Sequence, residues 1–344
     1  MSIDNNLLES FTSYRDKVQA TLREVIDGYP LTLNNMLRYH MGWQDENGNP
    51  RQRASSKFIR PLLCILSCQA VGGNVSQILP AAAALELIHN FSLIHDDIQD
   101  DSYERHHQPT IWRLWGQPQA INAGDAMFTL VYLALLKLRN NQVPDEKIVD
   151  STETLSTVCL QLCEGQCLDI KFETRLDVSI EDYLNMAENK TAALIAASTS
   201  MGVCLVSEDR NLINTFRLFG KELGMAYQIH DDILGVWGME ESIGKSANDI
   251  SQKKKTLPVV YALQNSKGED RKKLKEFYQQ ESIEDNDVFQ VIQILDSLSA
   301  KDYARNLANQ YYHQALEQLE ATGLDKSRQS SLRKISSFLL ERDY

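Results

Sequence analysis

The feature that most constrains this chain is a spacing of apolar residues three and four apart, kept up over most of its length. In PAAAALELIHNFSLIHDD, which starts at Pro80, the apolar positions Ala81, Ala84, Leu85, Ile88, Phe91 and Ile94 fall along one side of a helix. The same rhythm recurs over 120–138, 152–170, 183–205, 212–234 and 256–264. No run alternates in twos between hairpin turns, and eight prolines and sixteen glycines are too few to cut 344 residues into short strands. The pattern predicts an all-α chain of about ten helices, with Pro80 in the first turn of its own. Loops are expected at 43–56, 104–118 and 235–255, and a solvated, charge-rich periphery at 266–287.

Composition narrows the function classes. A formal charge of −12 argues against a general nucleic-acid binder, which needs a basic field. The N-terminal MSIDNNLLESF lacks the basic and apolar regions of a signal peptide, and the uncharged run Thr191 to Ser207 is too short and too polar to span a membrane, so a cytoplasmic protein is expected. Six cysteines form no C-x-x-C pair. Cys64 with Cys68, and Cys159 with Cys163 and Cys167, sit at helical spacing, which fits buried core positions better than a soft-metal site.

The acids raise the sharper question. IHDDI occurs at 94–98 and again at 229–233, and the first copy continues to IHDDIQDD. Asp96 and Asp100 share a helix face, with Asp97 beside them, and like charges so placed destabilise a helix unless something compensates. The residues leading in (Leu85, Ile88, Phe91, Ile94) are apolar, so these carboxylates end a largely buried helix. Hard divalent cations are the natural partners of clustered Asp. Magnesium, which keeps most of its waters and shares its shell with substrate phosphates, is expected, and two such patches suggest one phosphorylated ligand between them. Basic residues follow the acids: Lys57 and Arg60 in SSKFIRP, Arg105 after Asp100, Lys190 in NKTAAL, Lys245, and the run Lys253 to Lys255. A polyanion held between metal and ammonium groups would use such a set.

On these residues the chain resembles the trans-isoprenyl diphosphate synthases, the polyprenyl synthase family. D-D-x-x-D is similar to Asp96, Asp97, Asp100; G-Q-x-x-D to Gly165, Gln166, Asp169; K-T to Lys190, Thr191; Q-I-x-D-D to Gln228 through Asp232; and G-K-x-x-x-D to Gly244, Lys245, Asp249. The resemblance runs from about Lys57 to Pro258. It implies one all-helical domain over 1–344, an isoprenoid synthase bundle around a central cavity, usually a homodimer. It further implies that Asp96, Asp100 and Asp231 bind Mg2+, with Asp97 and Asp232 in the catalytic set. Arg105, Lys190, Lys245 and Lys254 would hold an allylic diphosphate, with Thr191 and Gln228 in the same substrate site, and Lys253 or Lys255 remains open in place of Lys254. Lys57, Arg60 and His89 would hold isopentenyl diphosphate. The diphosphate that leaves is the expected base, and the two IHDDI helices would face one another at the mouth of one cavity.

Two positions depart from the family's pattern. Its R-R-G reads Arg105, His106, His107 here, so a residue that usually binds isopentenyl diphosphate is an imidazole, only partly cationic at neutral pH. Gly235 stands where many members carry the last Asp of a second D-D-x-x-D. Phe91, five residues and about 7.5 Å before Asp96, with Ser92 after it, resembles the floor residues of twenty-carbon producers. Geranylgeranyl diphosphate is therefore the first expected product and farnesyl diphosphate the second. A class I terpene cyclase, an HD-type phosphohydrolase using His95-Asp96 or His230-Asp231, and a non-catalytic regulatory subunit remain alternatives. His95 and His230 read as packing groups or as partners of the ligands rather than as ligands themselves.

Overall fold

The computed structural model describes residues 5–51, 58–238, 249–280 and 282–340. Among them are fifteen α-helices and one two-stranded ribbon, so the chain is all-α as its periodicity predicts. In chain order these are α1 (Asn5–Asp27), α2 (Asn34–His40), α3 (Ile59–Ala70), α4 (Val75–Gln99), β1 (Glu104–Arg105) and β2 (Gln108–Pro109). Then come α5 (Ile111–Trp115), α6 (Gln117–Leu136), α7 (Asp145–Glu173), α8 (Ile180–Ala187), α9 (Ala193–Cys204) and α10 (Arg210–Trp237). The rest are α11 (Leu257–Asn265), α12 (Gly268–Gln279), α13 (Asp285–Ser297), α14 (Ala300–Ala321) and α15 (Lys326–Leu340). The number exceeds the expected ten because loops hold short helices of their own. Thus 104–118 is a hairpin, then α5 and the start of α6.

Packing gathers the chain into two compact units. The first takes residues up to 157 with 197–217 and 322–334; the second takes 158–196, 218–321 and the residues from 335 on. In the first, α4 packs against α1, α3 and α6. It is apolar nearly all round, with Ala81 through Leu85, Leu87 and Ile88 shut off from solvent, as a helix covered on every side must be. Its start differs from expectation. The helix begins at Val75, capped by Asn74, whose side chain accepts from the Ser76 amide, and Pro80 lies inside it. Proline cannot donate to the carbonyl one turn back, that of Ser76. Asn141 compensates, its Nδ2 donating to the Ser76 carbonyl at 3.2 Å and the Gln77 carbonyl at 3.0 Å.

The second unit has two apolar clusters. One joins Phe172, Tyr183, Met186, Met225, Ile229, Ile233 and Leu257. The other joins Val236, Ile250, Val259, Leu274, Phe277, Tyr278 and Val291. The expected solvated periphery at 266–287 is therefore only half right, because α12 buries Leu274, Phe277 and Tyr278 on its inner face.

The cysteines divide. Cys64, Cys68 and Cys159 are buried, and burial pushes the Cys68 and Cys159 thiols up to about 11 and about 12. Cys163 and Cys167 are exposed, against the core reading. A four-residue step overshoots a 3.6-residue turn, so the stripe rotates by about 40° per step and leaves the core.

Two helices, Val75–Gln99 and Gln117–Asn141, are long and apolar enough to cross a membrane by length and composition. The first is 72% buried within the protein, as a core helix is. The sequence run singled out above, Thr191 to Ser207, is neither of these.

Candidate functional site

Neighbouring residues on a helix point about 100° apart, so the two acids of an IHDDI cannot face the same way. In the first copy Asp96 stays partly open, its side chain 22% exposed, while that of Asp97 is 3% exposed. Asp97 turns inward to Arg105, which stands on β1; Arg105 Nε donates to Asp97 Oδ1 at 2.8 Å and Nη2 reaches Asp96 Oδ2 at 3.4 Å. Burial pushes the Asp97 carboxyl up to about 7, with Arg105 working against the rise. Asp100 caps α4, its amide donating to the Asp96 carbonyl.

Arg105 is aimed by the turn that follows it. β1 and β2 pair Arg105 with Gln108, leaving His106 and His107 as a two-residue loop with φ of 53° and 56°. That is a type I′ turn, which favours Asn or Gly. Two histidines in the left-handed region are a strained choice, of the kind concentrated at functional sites.

Behind the hairpin lies a cationic group. Arg60 on α3, His89 on α4, His40 on α2, Arg105 and His106 are close enough to act on each other electrostatically. A small cavity here is lined by His40, Asn90, Leu93, Asp97, Arg105 and His106. Burial, then Arg60 and Arg105, push the largely buried His89 well below the ordinary imidazole range; burial, then Arg105 and His106, push His40 down to about 3. His40 was not a sequence candidate. It lies 49 positions before His89 in a different helix, and nothing local marks it. Phe91 is in the same unit, its ring 5.0 Å from that of Phe128 on α6 and 6.0 Å from the His95 ring, while Ser92 Oγ donates to the His89 carbonyl. His95 packs as expected, with Gly124 of α6 against its ring.

The second unit repeats the division of labour. Asp231 is partly exposed, whereas Asp232 is 5% exposed and bonded inside. Its Oδ2 accepts from the Leu257 amide at the start of α11, and its Oδ1 accepts from Gln228 Nε2, both at 2.8 Å. Gln228 in turn accepts from the Thr191 hydroxyl at 2.5 Å. Burial pushes Asp232 up to about 7 in spite of these donors. Asp97 and Asp232, expected among the catalytic acids, are thus both engaged in internal bonds.

Lys190 and Thr191 lie on a π-helical turn, Glu188–Ala192, between α8 and α9. Such turns are rare and recur at functional sites. Two glycines clamp this one. A Cβ on Gly165 of α7 would come within 2.3 Å of the Lys190 amide, and one on Gly224 of α10 within 2.6 Å of the Ala192 Cα. The clamp sets Lys190 Nζ against the Asp169 carboxylate of α7. The G-Q-x-x-D spacing therefore supplies a close approach at its glycine and an ion pair at its acid.

Of the three adjacent lysines, two are committed to backbone. Lys253 Nζ donates to the Gln280 carbonyl at 2.6 Å and Lys255 Nζ to the Glu173 carbonyl at 2.8 Å. Lys254, the one at the family's lysine spacing, stays the candidate for a ligand. Lys57 and Lys245 lie outside the described residues.

Gly235 is explained by its neighbour. A Cβ there would sit 1.8 Å from Asp249 Oδ2, so the Asp249 carboxylate fills the place that a side chain at 235 would need. Gly235→Asp is therefore expected to destabilise the protein by about 1–3 kcal/mol through overpacking, read as a lower thermal midpoint. Adding Asp249→Ala should recover part of the loss; independent, additive effects would contradict the packing account.

The geometry agrees with what the chain is similar to. The polyprenyl synthetase family model matches residues 46–295. A short chain isoprenyl diphosphate synthase of Methanothermobacter thermautotrophicus is 40% identical over 292 residues, 85% of this chain and 88% of that one. The (2E,6E)-farnesyl diphosphate synthase of Mycobacterium tuberculosis is 32% identical over 329 residues, 94% of this chain and 90% of that one. The crystal structure of geranylgeranyl pyrophosphate synthetase from Pyrococcus horikoshii superimposes with a TM-score of 0.87 at 31% identity, over 98% of this chain and 99% of that one. Helical fold, paired aspartate motifs and family match agree: this chain belongs to the polyprenyl synthetase family.

Proposed function

We propose that the chain is a magnesium-dependent short-chain trans-prenyltransferase. It condenses isopentenyl diphosphate with an allylic diphosphate, giving geranylgeranyl diphosphate first and farnesyl diphosphate second, and it acts as one catalytic domain. The observation that carries this reading is the repeated pairing of an outward Asp with an inward one. Asp96 and Asp231 are the partly exposed acids of their pairs, and a cation is fixed in each unit, Arg105 beside Asp96 in one and Lys190 on Asp169 in the other.

The donor set fits the metal. Carboxylate oxygens one helical turn apart suit a hard cation. A cation that takes one or two carboxylates and fills its shell with water and phosphate is the match. Asp96 and Asp100 in one unit, and Asp231 in the other, would hold such cations, which when bound would stabilise negative charge on the departing diphosphate. Arg105, Lys190 and Lys254 neutralise the same charge with fixed donors. The allylic C–O bond breaks with its electron pair leaving on diphosphate. The double bond of isopentenyl diphosphate then forms the new C–C bond, and a proton passes to the released diphosphate. Lys57, Arg60 and His89 hold the isopentenyl diphosphate, and His106 stands where the family's second arginine would add a charge. Asp97 and Asp232 position, the first by aiming Arg105, the second by tying Thr191 and Gln228 to α11.

We also propose a cytoplasmic homodimer. Six free cysteines suit a reducing compartment. The apolar segment Gln117–Asn141 is only 44% buried, with Ile121 and Leu136 exposed, an apolar face of the kind that a symmetric partner covers.

The deciding experiment incubates the purified protein with magnesium and farnesyl diphosphate, with and without isopentenyl diphosphate, and identifies products by mass. Geranylgeranyl diphosphate formed only with isopentenyl diphosphate is expected; hydrocarbon or alcohol from farnesyl diphosphate alone would mean a cyclase. Phe91→Ala should lengthen the product by at least one five-carbon unit, and an unchanged product removes Phe91 as the floor. His106→Arg should lower the KM for isopentenyl diphosphate about three- to tenfold, the net size of one hydrogen bond. An unchanged KM would show that imidazole serves as well.

A further inference from the structure

Lys255 is 2% exposed, among the largest fully buried side chains in the chain. Lysine is almost never buried unless its ammonium is satisfied. Here it is, on three sides. Nζ donates to the Glu173 carbonyl at 2.8 Å and the Lys253 carbonyl at 3.3 Å, and lies 4.5 Å from the centre of the Tyr278 ring. Glu173 is the last residue of α7, so its carbonyl is one of those a helix end leaves without an internal donor, and a cation there is favoured. Lys253 sits at φ 58°, a left-handed turn, and its own ammonium is anchored on the Gln280 carbonyl beyond α12. One buried ammonium thus joins the end of α7, a strained turn and the Tyr278 face of α12.

Lys254 lies between these two anchors, its amide donating to the Asp249 carbonyl at 2.9 Å. The helix gripped by Lys255 is also the one that carries Gly165 and Asp169, the partners of Lys190. We infer that Lys255 is a positioning residue for diphosphate binding: by fixing the 253–255 turn to the end of α7 it holds Lys254 at a set distance from the Lys190–Asp169 pair. Lys255 does not touch the substrate itself. The inference rests on the proposed role of Lys254 as a diphosphate ligand, and it goes further by assigning the residue that places it.

The groups facing Lys255 are Glu173 and Asp169 on α7, Lys253 in the turn and Tyr278 on α12. Burial and then Lys253 push its ammonium down to about 8 from the ordinary 10.5. Below that pH the ammonium is charged and the tether intact; as pH rises through it the tether weakens. Arginine, always charged, would not show this.

The test compares steady-state kinetics of the full chain with magnesium, farnesyl diphosphate and isopentenyl diphosphate for wild type, Lys254→Ala, Lys255→Met and Lys255→Arg. Lys254→Ala and Lys255→Met should each raise the KM for farnesyl diphosphate about tenfold, with kcat changed less than threefold. An affected Lys254→Ala beside an unaffected Lys255→Met overturns the positioning role and leaves the ligand role standing. An unaffected Lys254→Ala overturns both. A fall in kcat without a change in KM for Lys255→Met would mark it as a stabilising residue only and also overturns the inference. Should Lys255→Met not fold, the pH dependence decides: the wild-type KM should rise above about pH 8 while that of Lys255→Arg stays flat, and superimposable profiles overturn the proposal.

Discussion

Two adjacent aspartates at the end of an apolar helix cannot both face water, and much of the site follows from that constraint. One acid of each IHDDI must enter the protein, where an unpaired carboxylate would be costly. The fold answers with a different donor set each time. Asp97 receives Arg105 from the β1–β2 hairpin. Asp232 receives the first amide of α11 and the Gln228 side chain. In satisfying the inner acid the protein fixes a neighbour of the motif: Arg105 is held beside Asp96 in the first unit, and Thr191 is held to Gln228, next to Lys190, in the second.

Close approach is the second device. The π-helical turn carrying Lys190 can lie against α7 and α10 only because Gly165 and Gly224 present no side chain to it. The same logic accounts for Gly235. Read as a missing ligand it is a loss; in three dimensions it is the space that lets the Asp249 carboxylate reach α10. These sites also show why lysine count alone says little. Three lysines in a row look interchangeable in sequence, yet two of them hold backbone carbonyls at the ends of α7 and α12.

The helical class, the two acid motifs and the basic residues around them were legible in the sequence, because each rests on local spacing. A 3.6-residue period marks a helix wherever it occurs, and D-D-x-x-D is a local pattern. The burial of α4 on all sides could be read from its composition in the same way. What failed were readings that needed to know what packs against what. Pro80 reads locally as a helix start, since nothing nearby reveals that Asn141, 61 positions on, supplies the missing donor. Cys163 and Cys167 followed the helical rhythm but rotated out of the core. The acidic and basic residues at 266–287 masked the buried face of α12.

The sequence by itself determined that this chain is all helix, that it carries two carboxylate patches with cations nearby, and that it belongs with the enzymes of prenyl diphosphates, because spacing and side-chain chemistry are written in the order of residues. Only the tertiary structure decided which acid of each pair looks outward, that Lys253 and Lys255 hold backbone carbonyls, and that His40 joins Arg60 and His89 behind the hairpin. Those outcomes depend on donors brought from residues tens of positions away. A local pattern can name the groups, but their directions are set by whatever fills the other side.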